Sequence, residues 1–189
     1  MLDLLKSFDT RLFLIINERH NAFFDPIMYW ASHKWFWIPF YVALALFLVK
    51  IYKKLSIYIL LAIGIMITLS DQISSALIKQ LVLRPRPSHE PALMPFIHLS
   101  KAGPGGMYGF VSSHAANASA LVVFLILLLP HRYYTLKMIL VLWALLVCYS
   151  RIYNGVHYPF DVLGGMIVGS FCALGIATLT KRLFIKKDF

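Results

Sequence analysis

The sequence predicts an all-α, polytopic transmembrane helix bundle of about five spans, with an N-terminal interfacial helix. Three observations carry that expectation. The 189 residues are 60% hydrophobic and only 14% charged, with a mean hydropathy of +0.74. A soluble domain averages nearer 45–50% apolar and about 25% charged. Apolar runs close to the roughly 20 residues needed to cross a bilayer recur along the chain. Aromatic residues reach 15%, and Trp35, Phe36 and Trp37 open the first run at the level of a membrane interface. These figures exclude a water-soluble enzyme, a disordered chain and a coiled coil. The length fits one domain over residues 1–189.

Residues 4–16 read as an amphipathic helix that Glu18, Arg19 and His20 interrupt. Charges there would be costly inside a bilayer, so residues 1–20 are expected to lie in the interface. Residues 1–34 form the N-terminal segment, and a sixth span is the alternative reading. No secretory signal pattern is evident in the first 20 residues. Asp25-Pro26 reads as a helix start, Asp as cap and Pro at the first position.

The five expected spans are residues 35–52, 55–79, 112–129, 134–151 and 160–182. Arg84-Pro85-Arg86-Pro87 stops the second and Pro130 the third. Gly165, Gly169, Ala173 and Ala177 form a small-residue stripe suited to close helix packing, and Ala115, Ala116, Ala118 and Ala120 offer another. These faces suggest lateral entry of a lipid between helices. Cys148 and Cys172 both sit in apolar runs and read as packing residues. Residues 84–109 are rich in Pro and Gly, and a connection of that length is often functional.

The ionisable residues are informative by position. In a five-span up-and-down chain, the end of span two, the start of three, the end of four and the start of five share one membrane face. Hydropathy alone therefore brings Lys79, Arg86, Ser112, Ser113, His114, Ser150, Arg151, His157 and Asp161 to one end. Three cations suit a group with several negative oxygens, and Arg pairs bidentately with phosphate. A helix start adds free N–H groups and a positive dipole end. Two histidines and a carboxylate suit the roles of nucleophile, acid and orienter. His157 and Asp161, four apart across Pro159, can face each other at a helix entry. Asp71, eight residues before Lys79, reads as a polar contact inside the bundle, and Asn117 as a partner one turn from His114. Arg84 reads as a lipid-headgroup contact or a simple interface cation, while His89, His98 and Lys101 read as loop surface, with substrate contact the alternative. Tyr153 and Asn154 suggest no role.

Three motifs in this order resemble the type-2 phosphatidic acid phosphatase superfamily, which includes vanadium haloperoxidases and bacterial acid phosphatases. Lys-x6-Arg-Pro matches Lys79 to Arg86-Pro87; Pro-Ser-Gly-His appears as Val111-Ser112-Ser113-His114; Ser-Arg-x5-His-x3-Asp matches Ser150-Arg151, His157 and Asp161. The departures, Val111 for Pro and Ser113 for Gly, keep the Ser and the His. The resemblance implies that His157 attacks phosphorus and forms a phosphohistidine, that Asp161 orients His157, and that His114 protonates the leaving oxygen and then activates water. It implies that Lys79, Arg86, Ser112, Ser113 and Arg151 hold the phosphate. No cofactor and no metal are expected, since the fixed cations supply the charge.

The implied activity is hydrolysis of a lipid phosphomonoester or diphosphate. Phosphatidic acid, phosphatidylglycerol phosphate, polyprenyl diphosphate and phosphorylated lipid A are the candidate substrates. A lipid phosphotransferase using the same site is one alternative, and a non-catalytic anionic-lipid binding or transport protein another. Nucleic acid is not an expected partner: the net charge of +10 comes from residues scattered between apolar runs, without a basic face. The bias suits anionic headgroups instead. Lys50, Lys53, Lys54, Arg132, Lys137, Lys181, Arg182, Lys186 and Lys187 lie opposite the site. Once Lys79, Arg86 and Arg151 are set aside as site residues, the positive-inside rule predicts a cytoplasmic C-terminus. The site then faces the periplasm or exterior from a bacterial inner membrane.

Overall fold

The structure is a computed structural model, and it describes residues 2–185. Lys186 and Lys187 of the basic C-terminal cluster lie outside the described residues. The helices are α1 (Leu2–Asn17), α2 (Phe24–Ser32), α3 (Ile38–Tyr52), α4 (Ser56–Asp71), α5 (Lys79–Val82), α6 (Ser113–Leu128), α7 (Tyr134–Tyr153) and α8 (Pro159–Thr180). No strand forms among the described residues, apart from a single antiparallel bridge between Pro85 and Tyr108. The helical stretches Lys34–Val82, His131–Tyr153 and Pro159–Phe184 are long and apolar enough to cross a membrane. The first is a hairpin: Lys53, at φ 48°, turns the chain between α3 and α4. The apolar helix Ser113–Leu128 is shorter. Leu46, Leu61, Ile65, Leu142, Ile167 and Phe171 are exposed on the bundle surface. Lipid contact explains large apolar residues there, whereas water would not tolerate them.

Helix α6 lies at the centre, packed against α4, α7 and α8. Its closest partner is α8, because both small-residue faces are used against each other. A Cβ on Gly165 would run into the carbonyl of Ser112, and one on Gly169 into the backbone of Ala116. Small residues let two backbones approach this closely. At Gly165 and Gly169 the two faces fill each other, so no opening lies between α6 and α8 there. Gly169→Leu should lower the thermal unfolding temperature in detergent steeply. Overpacking typically costs about 1–3 kcal/mol, and here the obstacle is backbone, which cannot rotate aside.

Between α4 and α5 the helix widens into a π-helical stretch, Gln72–Ile78. The hydroxyls of Ser74 and Ser75 donate to the Asp71 carbonyl at 3.1 and 2.6 Å. They compete with main-chain N–H groups for that acceptor, which loosens a regular helical ladder. Helix α1 crosses the end of the bundle where α7 finishes and α8 begins. Its buried face is Asp9, Phe13 and Asn17. Phe13 packs edge-on against Tyr158, at 5.5 Å between ring centroids. Asn17 donates to the Tyr153 carbonyl at 2.8 Å. Helix α2 starts slightly ahead of the expected Asp25 cap. The Asn21 side chain takes the capping role, accepting from the N–H groups of Phe23 and Phe24 at 3.1 and 2.9 Å. Cys148 is buried and Cys172 half-buried, both as free thiols.

Candidate active site

The second half of the long connection is folded back on its start. Arg86 N–H donates to the Met107 carbonyl at 3.0 Å, and Gly109 N–H to the Arg84 carbonyl at 2.9 Å. Pro85 and Pro87 keep this stretch extended, with Arg86 at φ −72°, ψ 159°. Residues two apart in an extended chain share a face, so Arg84 and Arg86 both turn toward the start of α8. Arg86 is buried and its Nε donates to the Tyr108 carbonyl at 3.1 Å. Burial works against its positive charge and lowers its pKa, while the Asp161 carboxylate partly offsets this.

Ser112 caps α6: its hydroxyl accepts from Ala115 N–H at 3.4 Å, and its own N–H donates to the Asp161 carbonyl at 2.8 Å. The same contact ties the first turn of α6 to the first turn of α8. Ser113 and His114 occupy that first turn of α6, where main-chain N–H groups have no intrahelical partner. Neither Ser112 nor Ser113 adopts a positive φ, so serine in place of glycine meets no conformational obstacle. The Ser113 hydroxyl instead accepts from Lys79 Nζ at 2.8 Å. Asp71 lies further in, where its carboxylate accepts from the Asn117 amide at 3.3 Å. Both are thus the polar contact inside the bundle, and Asn117 partners Asp71.

Arg151, in the last turn of α7, is buried and bonds the Ser32 hydroxyl of α2. Its Nε is buried without a hydrogen-bond partner, which leaves a donor for an acceptor not belonging to the chain. Beyond α7 the chain reverses at Gly155, whose φ is +78°. A Cβ there would stand 2.6 Å from the His98 carbonyl, so only glycine suits both the turn and the contact. His157 follows, fully enclosed. Its Nδ1 lies 3.4 Å from Asp161 Oδ2, which also accepts from Tyr158 N–H at 3.1 Å. Burial, and then the nearby charges of Arg86, Arg151 and Lys79, hold the His157 pKa well below the usual imidazole value. The imidazole is therefore neutral at pH 7, with one ring nitrogen facing Asp161 and the other free to act as a nucleophile.

The largest addition to the sequence reading is Arg84. Its charge is spent inside the protein rather than on a lipid headgroup or at the interface. Its guanidinium bridges Asp161 Oδ1 at 3.0 Å and Asp9 Oδ2 at 2.7 Å, and it stacks over the Tyr158 ring at 4.0 Å. Asp9, from α1, also accepts from Phe160 N–H at 2.9 Å. Both carboxylates are fully buried, and a buried charge persists only when paired and hydrogen-bonded. Tyr153 and Asn154 also acquire a place. Tyr153 donates to Asp25 at 2.8 Å, and Asn154 to the Met28 carbonyl at 2.9 Å. Both pin the α2 region to the end of α7.

A cavity of about 550 Å³ opens beside the site. Its polar end is lined by Ser32, Asp71, Ser113 and His114, and its other end by aliphatic residues including Leu48, Ile63 and Leu121. It runs between α3, α4, α6 and α7, on the side of α6 away from α8.

The chain is similar to several known proteins. The PAP2 superfamily model matches residues 57–185. A lipid A 4'-phosphatase of Bacteroides thetaiotaomicron is 36% identical over 173 residues, 90% of this chain and 76% of the relative. An undecaprenyl-diphosphatase of Sulfolobus acidocaldarius is 32% identical over 168 residues, covering 87% of this chain and 75% of the relative. Among solved structures, Aquifex aeolicus LpxE superposes with a TM-score of 0.65 and 26% identity, over 89% of this chain and 94% of that one. A transmembrane PAP2-type phosphatidylglycerolphosphate phosphatase from Bacillus subtilis shares the fold, with a TM-score of 0.69 at 22% identity over 96% and 89% of the two chains. With a matching family model over most of its length and relatives this close, the chain belongs to the PAP2 superfamily, as an integral membrane phosphatase.

Proposed function

We propose that the protein hydrolyses the phosphate of a membrane lipid through a phosphohistidine, with phosphorylated lipid A as the leading substrate class. The observation that carries this reading is the meeting of Lys79, Arg86, Arg151 and the first turn of α6 around a neutral, buried His157, next to a cavity that is polar at one end and aliphatic at the other. The lipid A 4'-phosphatases of Bacteroides thetaiotaomicron and Porphyromonas gingivalis, 36% and 34% identical, favour that substrate. Polyprenyl diphosphate and phosphatidylglycerol phosphate follow from the undecaprenyl-diphosphatase above and from the phosphatidylglycerophosphatase B of Bacillus subtilis, 32% identical over 107 residues, 53% of this chain and 48% of the relative.

The phosphate sits against Lys79, Arg86, Arg151 and the N–H groups of Ser113 and His114. It satisfies the free Arg151 Nε. The outer ring nitrogen of His157 attacks phosphorus as the bond to the lipid oxygen breaks, and His114 gives that oxygen a proton. His114 then takes a proton from water. The hydroxide attacks phosphorus, the P–N bond breaks, and inorganic phosphate leaves with His157 restored. Asp161 keeps a proton on the inner nitrogen of His157, so the outer one presents its lone pair. The rest is placement and fixed charge, which supply most of the catalysis in phosphoryl transfer. The site faces the periplasm or exterior of a bacterial inner membrane, with Lys50, Lys53, Lys54, Lys181 and Arg182 on the cytoplasmic side.

Phosphate release from a panel of lipid phosphates in detergent, with EDTA present, tests hydrolysis, metal independence and substrate class together. Absence of phosphate release from every lipid in the panel would overturn the reading. The cavity makes a separate prediction. Ile63→Trp, which fills its aliphatic end, should lower kcat/KM for a long-chain lipid phosphate at least tenfold. Hydrolysis of a short water-soluble phosphate ester should stay within about twofold. Equal losses on both substrates would remove the cavity from the account of lipid binding.

A further inference from the structure

We propose that His20, Asp25 and His98 form a binding site for one divalent transition-metal ion, with zinc the best match. The ion would staple the N-terminal segment to the long loop beside the active site. The three residues come from the α1–α2 connection, the first turn of α2 and the loop between α5 and α6. One ligand atom from each lies within 4.8 Å of the other two. The His20 and His98 rings are stacked, with centroids 3.9 Å apart and planes 10° apart. His98 Nε2 stands 3.2 Å from Asp25 Oδ1. That nitrogen is buried and makes no aligned hydrogen bond. Its contact with the carboxylate is not aligned as a hydrogen bond, so both atoms can turn an electron pair to one cation.

The surrounding residues hold the framework in place. The Tyr153 hydroxyl donates to Asp25 at 2.8 Å, the kind of outer contact that orients a ligating carboxylate. Asn17 grips the main chain of His98 from both sides. Its Oδ1 accepts from His98 N–H at 2.7 Å, and its Nδ2 donates to the His98 carbonyl at 2.9 Å. Asn21 caps α2 and so sets Asp25 in its first turn. Only the last step is left to the metal. Tetrahedral zinc with bonds of about 2.0–2.2 Å holds its ligands about 3.4 Å apart. The three groups must therefore close by roughly 1 Å, with the stacked rings tilting. His20 is exposed and can rotate.

Two imidazoles and one carboxylate favour zinc or a neighbouring transition ion over calcium or magnesium, which prefer all-oxygen shells. Three protein ligands leave an open position for water. The ion takes no part in phosphoryl transfer, since none of its ligands touches the phosphate site. Its connection to that site is mechanical: the His98 carbonyl abuts Gly155, two residues before His157. The site stands independently of the reaction proposed above.

The test uses the full chain, without a histidine tag, in detergent and stripped of metal. Equilibrium dialysis against Zn²⁺ should give one bound ion per chain. Co²⁺ in its place should give the intense visible bands of a tetrahedral site. The Tm should rise with the logarithm of free Zn²⁺ once the site begins to fill, as expected for a ligand of the folded state. His20→Ala, at an exposed position, should keep the fold by circular dichroism, weaken binding at least tenfold and abolish the Tm response. His98→Ala should do the same, while His131→Ala, at the far end of the bundle, should bind as the parent does. No stoichiometric binding by the parent, or undiminished binding by folded His20→Ala, would overturn the proposal. So would loss of the bound ion in His157→Ala with His20→Ala unaffected, which would move the metal into the phosphate site.

Discussion

His157→Ala should reduce phosphate release by on the order of 10³-fold or more, the scale of losing a nucleophile, while lipid phosphate still binds. The expectation rests on the enclosure of His157 among Arg86, Arg151 and Lys79, which keeps its imidazole neutral. Those cations remain in the variant, so the phosphate keeps its positive cradle and loses only the group that attacks it. Single-turnover assays with labelled lipid phosphate separate the two quantities: an acid-labile phosphoryl-protein should form in the parent and be absent in the variant. The same measurement separates a phosphatase from a protein that merely holds anionic lipid, for which the substitution would be nearly silent. Comparable turnover in His157→Ala would end the phosphohistidine reading.

Asp161→Asn should lower kcat on the order of 10³-fold with little change in KM. An amide in that place can present its NH₂ to the inner nitrogen of His157, which reverses the tautomer and protonates the attacking nitrogen. A comparable loss follows when the orienting aspartate of a serine-protease triad becomes asparagine. Asp161 is in turn held by Arg84, which links it to Asp9. Arg84→Ala would leave two buried carboxylates without their shared cation. It should lower kcat by roughly 10–100-fold through misplacement of Asp161, and lower the Tm as well. Asp9→Ala should act through the same bridge, so the double variant should cost clearly less than the product of the two single losses. Independent, multiplying losses would show that the bridge does not act as a unit. Arg84→Lys supplies one charge without the two-pronged geometry and should recover only part of the rate.

Arg84 also shows where sequence reading falls short. The alternation Arg84-Pro85-Arg86-Pro87 carried the needed signal, because proline keeps such a stretch extended and puts both arginines on one face. Matching to the motif register singled out Arg86 and passed over Arg84. Asp9 had no signal at all, since its partners lie more than 70 residues away. The expected cap at Asp25 failed for a related reason: it assigned a local feature to a local use, whereas Tyr153 engages that carboxylate.

By itself the chain determined the class and the convergence of span-end charges. Apolar runs of membrane length force helices, because unpaired backbone groups are too costly in lipid. Alternating run directions then gather the span-end charges at one face. Only the folded molecule decided how α1 closes over that face, how Arg84 joins Asp9 to Asp161, and how His20, Asp25 and His98 come within reach of one ion. Hydropathy is additive along the chain and legible from residue order. A buried ion pair or a ligand set depends on which remote atoms packing brings within a few ångströms, and no local pattern records that.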